Sequence, residues 1–341
     1  MQRGFRRFSS TNAPGRRQRA VAIPSPALPA SAPMLARYAL LFLGVFACST
    51  SAVLIRLSST DPFVLTALRL AIASLLLAPV LASELRRHGA AFTRDHLRRT
   101  HLPAAVLAVH MMTWTLGARM TAVAQSTLIV NLVPIALPFF LVWVARERIN
   151  RAEVAGTALA IAGLVLLSAR DALSAGGSVA GDAVCLASML LFALYLALGR
   201  RNRDFPSVWL YVIPVYAQAS LLCLVAALPL LHTFAAGSAH EWALMAGLAV
   251  VPTVFGHSLL NAAMRRIRGQ IVSLCNASQF LFAGVMGYLL FGEVPRPVFY
   301  VSCAVVLAGV AIVALSTPEE PPGAPAIPRA PDAAGTGGRP A

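Results

Sequence analysis

Long apolar runs separated by short polar stretches fill the chain between residues 38 and 316. Ten of these runs are predicted as helices, at 38–56, 63–82, 101–118, 122–145, 152–169, 181–199, 208–231, 242–262, 268–291 and 297–316. Most approach the roughly 20 residues that a helix needs to cross about 30 Å of hydrocarbon. Hydrocarbon offers the backbone no hydrogen-bond partner, so such runs must be helices rather than open strands. The ends read differently. Residues 1–36 carry six Arg with Pro and Ser and no acidic residue, and 317–341 are Pro, Ala and Gly without period. Both are predicted to be disordered tails. The basic N-terminal tail suits an anionic membrane surface. A start at Met34 and an organellar transit peptide are the other readings of that segment, whereas a secretory signal does not fit.

The pattern occurs twice. Gln125 and Asn131 are 6 residues apart, as are Gln270 and Asn276; Glu147 and Gly163 are 16 apart, as are Glu293 and Gly309. Earlier in each half, Arg56 precedes Pro62 as Arg200 precedes Pro206. The repeat unit is five helices, placing the first repeat at 38–169 and the second at 181–316. Paired repeats in a membrane protein point to a transporter with its site between the halves.

Composition and charge sharpen this picture. At 341 residues, 58% hydrophobic and 12% charged, with mean hydropathy +0.72, the chain reads as an all-α integral membrane protein. The net charge of +15 raises nucleic acid as a partner, but the arginines, which supply all 28 basic residues, occupy short loops. With the N-terminus in the cytoplasm, 23 Arg fall on the cytoplasmic side and 4 opposite, with Arg69 inside a span. That asymmetry predicts both termini inside, in the cytoplasmic membrane. An odd number of helices per repeat makes the halves inverted, so Glu147 faces the cytoplasm and Glu293 the other side. Cys48, Cys185, Cys223, Cys275 and Cys303 lie inside spans with no metal-ligand spacing, so no metal, cofactor or disulfide framework is expected.

These features resemble the drug/metabolite transporter superfamily, specifically its EamA-type ten-helix members. The resemblance is carried by GARMTAVAQSTLIVNLVP, by the Glu147-Arg148 pair and by GTALAIAGLVLL in the first half. In the second it is carried by NAAMRRIRGQIVSLCNASQ, FGEVPRP and VLAGVAIVAL. TALRLAIA, with Arg69, is similar to the family's second-helix arginine. The resemblance implies export or exchange of small metabolites by alternating access. The chain departs from the family pattern at Gln279, where the repeat mate of Pro134 stands, which puts a kink of the ninth helix in question.

Polar side chains within spans are few, and each is costly in lipid unless it faces a cavity or a partner helix. Thr253, His257 and Asn261 share one face of the eighth helix, and His110, Thr113, Trp114 and Gly117 one stripe of the third. The repeat aligns His110 with Phe255, two residues from His257, so the imidazoles are near mates. They are candidates for substrate binding or proton handling; hydrogen bonding between packed helices is the other reading. Gln125, Asn131, Gln270, Asn276 and Gln279 offer amides suited to a polar or zwitterionic solute, or equally to interhelical bonds. Trp114 and Tyr195, the latter sharing a face with Ser188 and Phe192, form an aromatic wall or a packed core. Pro134 and Pro138 permit a bend. Arg69 is expected in a structural role, snorkelling or paired with a carbonyl or loop carboxylate, rather than attracting an anion. Glu147 and Glu293 read as gate or loop ion pairs.

Absences narrow the function. All 13 acidic residues lie in loops, tails or helix ends. Small multidrug-resistance pumps of the resembled superfamily depend on a buried Glu in the first helix, and Leu43–Leu57 has none. No nucleophile–base constellation, metalloprotease motif or phosphate loop is present, so neither an enzyme nor an ATP-driven pump is expected. The expectation is a transporter of a small polar metabolite, such as an amino acid, working outward in the lipid bilayer with protons as a possible coupling ion. A membrane assembly or regulatory protein that keeps the fold without transport is the alternative.

Overall fold

Apolar composition and well-placed caps set the helices. In the computed structural model, residues 34–120, 126, 129–168, 179–233, 238–291 and 297–316 are described. They form α1 (Met34–Leu57), α2 (Pro62–His88), α3 (Arg94–Arg99), α4 (His101–Met120), α5 (Val133–Phe140) and α6 (Arg151–Ser168). The second half supplies α7 (Val179–Arg201), α8 (Val208–Ala227), α9 (Ala239–Leu248), α10 (Ser258–Met264), α11 (Gly269–Ala277), α12 (Gln279–Phe291) and α13 (Pro297–Ser316). No strand occurs among the described residues. The expected tails lie outside them, except that α1 begins at Met34, a few residues inside the segment read as tail.

Five helical stretches are long and apolar enough to cross a membrane: Met34–Leu57, Pro62–His88, Val179–Arg201, Val208–His232 and Ala239–Met264. The other expected spans are helical over most of their described residues. Large apolar side chains such as Leu75, Phe139, Trp143 and Leu289 point outward, as lipid solvation permits. Helix starts are fixed locally. Asp61 accepts from the amides of Phe63 and Val64 with Pro62 in the first turn of α2, and Ser207 accepts from Trp209 at the start of α8. At α6, Asn150 and Glu153 bond reciprocally: each side chain accepts from the other's backbone N–H, at 2.7 and 2.8 Å.

Packing follows the duplication. The main contacts pair α6 with α13, α4 with α7, α2 with α8, and α1 with the segment Ala249–His257 that joins α9 to α10. The repeat makes α2 and α8 mates, and likewise α6 and α13, so those helices pack against their own counterparts. The other two contacts exchange under the same relation, which is the pattern of a pseudo-two-fold. Glycines let the backbones approach. A Cβ at Gly156 would lie 2.6 Å from the carbonyl oxygen of Gly309, and one at Gly309 would lie 2.5 Å from that of Gly156.

The fourth and ninth helices both break, at equivalent places. Leu132 (φ −76°, ψ 8°) interrupts the fourth before α5, and Ser278 (φ −68°, ψ 0°) interrupts the ninth between α11 and α12. Each amide turns back onto the carbonyl three residues earlier: Leu132 to Ile129 at 3.1 Å and Ser278 to Cys275 at 3.0 Å. Pro134 follows the first break, whereas Gln279 follows the second and donates its amide to Asn276 at 2.7 Å. The ninth helix therefore breaks without the proline that the family pattern would supply.

Candidate functional site

The site begins with a missing N–H. Pro252 cannot donate to the carbonyl of Leu248, four residues earlier, and the chain there widens into a π-helix over Ala249–His257. The i→i+5 register gives that carbonyl the backbone N–H of Thr253 in place of the missing one, and the Thr253 hydroxyl adds a second bond to it at 2.8 Å. The same hydroxyl accepts from Nε of Arg69 on α2 at 2.6 Å, and Nη1 of Arg69 donates to Ser51 on α1 at 3.2 Å. The hydroxyl of Tyr216 on α8 donates to the carbonyl of Thr253 at 3.2 Å. Arg69 thus ties α1, α2 and the π segment together at 2% exposure. It does not snorkel to a helix end, and among the described residues it meets hydroxyls rather than the carboxylate or carbonyl its position in the sequence suggested.

An interior cavity of about 50 Å³ opens beside this arginine. Its walls carry Arg69, His110, Trp114, Asn131, His257 and Gln279, together with Ser49 and Ser51 of α1 and Phe192 of α7. The helix breaks place Asn131 and Gln279 there, each next to its interruption. His110 stacks on Phe192 with ring centres 4.7 Å apart, and His257 meets the same ring edge-on at 5.6 Å. Nδ1 of His110 lies 3.0 Å from the carbonyl and 2.9 Å from the hydroxyl of Ser188, donating to the first in one tautomer and accepting from the second in the other. Nδ1 of His257 and Nδ2 of Asn131 are buried and have no hydrogen-bond partner among the described residues.

The remaining candidates fall elsewhere. Tyr195 and Asn261 form a layer behind His257: the amide of Asn261 donates to the Tyr195 hydroxyl at 2.7 Å and to the His257 carbonyl at 2.8 Å. Gln270 donates to Thr157 at 2.6 Å and to the Pro134 carbonyl at 3.2 Å, a packing contact between α11, α5 and α6. Asn276 serves the Gln279 amide. Phe255, the aligned mate of His110, is exposed on the outer surface. Pro134 lies in the first turn of α5, and Pro138 is followed by the π turn Leu141–Ala145. Gln125 and Glu293 lie outside the described residues.

That π turn ends at Arg146, whose left-handed backbone (φ 53°) redirects the chain into Glu147. Glu147 accepts from Nε of Arg200 at 2.7 Å, and both side chains are largely buried. Arg200 also donates Nη1 to the carbonyls of Met264 and Ile267. Arg268 pairs with Glu153 at 2.7 Å, lies 3.7 Å from Glu147, and donates to the carbonyl of Arg148. These ion pairs cross from the first repeat to the second at one end of the bundle. On the same end Arg99 forks onto both oxygens of Asp204. Partial burial raises the Asp204 carboxyl pKa, but the paired hydrogen bonds and the charge of Arg99 outweigh it and hold it below the usual carboxylate value. Close by, a groove of about 250 Å³ is rimmed by Arg37, Arg87, Arg265 and Arg266 with Glu84.

Sequence reasoning passed over Ser49, Ser51, Glu153 and Arg268. The run Cys48-Ser49-Thr50-Ser51 inside an apolar helix was a legible signal, as was Asn150-x-x-Glu153 at a helix start. Nothing in the sequence marks the partner of Arg268.

Residues 35–169 and 179–315 each match the EamA-like transporter family. A solved crystal structure matches with TM-score 0.67 and 19% identity, covering 83% of this chain and 98% of that one. At that identity the likeness carries the fold alone. No curated protein matches the chain.

Proposed function

The chain belongs to the EamA-like transporter family, and we propose that it moves a small polar metabolite across a cell membrane by alternating access. The observation that carries the reading is the cavity where the two repeats meet, an apolar wall set with Arg69, Asn131, Gln279 and two histidines and flanked by two equivalent helix breaks. Discontinuous helices at a repeat interface free backbone and amide groups for a solute and allow one half to rock against the other. An assembly protein needs no such cavity and would fill it with apolar side chains, so transport is favoured over the scaffold alternative.

In this reading the chain crosses the membrane ten times with both termini in the cytoplasm. The arginine-rich end that holds Glu147, Arg200 and Arg268 is then cytoplasmic. That end is latched, so the conformation is closed to the cytoplasm, and separation of these ion pairs is the step that admits solute from inside for export. An amino acid or related compound is the proposed cargo. Protons are the proposed coupling ion, because His110 and His257 both face the cavity.

The test is thermal stability of the purified protein against amino acids, polyamines, nucleosides, sugars and drugs, followed by flux of any stabilising compound in proteoliposomes. A ligand at a hundred times its Kd contributes about 2.7 kcal/mol if it binds the folded state alone. Stabilisation by one chemical class, with flux that responds to a pH gradient and loses that response in His257→Ala, is the expected result. Flux indifferent to pH in both proteins removes the coupling. Stabilising compounds that produce no flux remove the transport reading.

A further inference from the structure

Rested on that reading, the charges around the cavity name the group it takes. Of the other arginines at least partly buried, Arg200 pairs with Glu147, Arg268 with Glu153 and Arg99 with Asp204. Arg119 and Arg265, nearer the helix ends, donate instead to the carbonyls of Ser58 and Phe205. Arg69 is buried as deeply as Arg200, yet its printed partners are the neutral hydroxyls of Thr253 and Ser51. Among the described residues it forms no ion pair, and no acidic residue stands mid-span anywhere in the sequence. An ion held at such depth needs an opposite charge and hydrogen bonds to offset its lost hydration. Ser51 and Thr253 engage only part of the guanidinium, whose planar fork is shaped for a carboxylate. Two further buried atoms at the same cavity, Nδ2 of Asn131 and Nδ1 of His257, also have no partner among the described residues.

We propose that the cavity binds the carboxylate of its solute, with Arg69 as the counter-ion and the Asn131 amide as a second donor. One full positive charge and no negative one in the wall match a single anionic group. A phosphate at neutral pH carries more charge than this wall balances. An ammonium group is repelled by Arg69 and meets only neutral acceptors and the rings of Trp114 and Phe192. An amino group on the solute is therefore dispensable, and the carboxylate is not.

Matched acids and amides decide this: lactate with lactamide, benzoate with benzamide, and N-acetylalanine with its amide. Each is added at millimolar concentration to the purified protein, with thermal stability and calorimetry as readouts. At least one acid is expected to stabilise the protein and none of the amides. Arg69→Gln is expected to raise the Kd of that acid roughly thirtyfold or more, with partial recovery in Arg69→Lys. Amides binding as well as acids, acids binding Arg69→Gln as they bind the wild type, or no acid binding at all would each overturn the proposal. Where Arg69→Gln is not recovered as monodisperse protein, the acid–amide comparison on the wild type decides alone. Acid binding without flux in proteoliposomes keeps this inference and removes transport. Flux of amines or amides that Arg69→Gln leaves unchanged does the reverse.

Discussion

Arg69 and Thr253 join the two repeats at depth: Nε of the arginine lies 2.6 Å from the threonine hydroxyl, which itself donates to the Leu248 carbonyl at 2.8 Å. One hydroxyl answers both a guanidinium of the first repeat and a backbone carbonyl of the second. Thr253→Val keeps the shape and removes both bonds. It should cost about 1–3 kcal/mol, because Nε of a buried arginine loses its acceptor. Thr253→Ser should cost far less. Thermal melting of the two variants side by side is the check, and equal melting temperatures would detach the hydroxyl from this role.

The buried pair Glu147–Arg200 carries the second prediction. Glu147→Gln removes the charged acceptor of Arg200 Nε while the bonds from Nη1 to the Met264 and Ile267 carbonyls stay, so the latched form should lose about 3 kcal/mol. A double-mutant cycle with Arg200→Gln should return a coupling energy of at least about 1 kcal/mol. If the latch gates access, a cysteine placed at Ser49 in a cysteine-free background should label faster from the Glu147 end in Glu147→Gln. Additive losses with unchanged labelling would leave the pair as a static tie.

Glycine spacing at α6 and α13 supplies a third. A methyl group at Gly309 would lie 2.5 Å from the Gly156 oxygen and 2.8 Å from the Ala160 nitrogen, both backbone atoms that cannot yield. Gly309→Ala should therefore push the helices apart and cost about 1–3 kcal/mol. Gly247→Ala makes the contrast. Its added carbon meets only Leu54 at 3.6 Å, so better helix propensity should leave the protein unchanged or slightly more stable. Melting temperatures that fall equally for both would refute the packing argument.

Acid titration tests Asp204. Arg99 holds its carboxyl below the ordinary aspartate value of about 3.9, so the pair adds stability that is fully present above that pH. The contribution disappears as the pH falls through the lowered value. Wild type should melt above Asp204→Asn at neutral pH, and the gap should narrow only below about pH 4. A gap constant with pH would mean that the contact works through packing rather than charge.

Sequence periodicity and composition by themselves determined the helical membrane class, the duplication and the family, because lipid leaves a long apolar run few alternatives. The repeat spacing also reached the interruption of the fourth helix through Pro134, but not that of the ninth. There, Ser278 and Gln279 break the helix with no proline, and local propensity predicts no stop. Polar residues inside spans were legible as a set, and their assignment was not. His110, His257, Asn131, Gln279 and Trp114 face one cavity, whereas Gln270 bonds neighbouring helices and Asn276 holds the Gln279 amide across the break. The difference lies in helix rotation and depth, which only packing sets. Arg69 shows the same limit most plainly. The sequence marks an arginine at depth and no mid-span carboxylate, but only the tertiary structure surrounds that arginine with hydroxyls and seats it against a cavity.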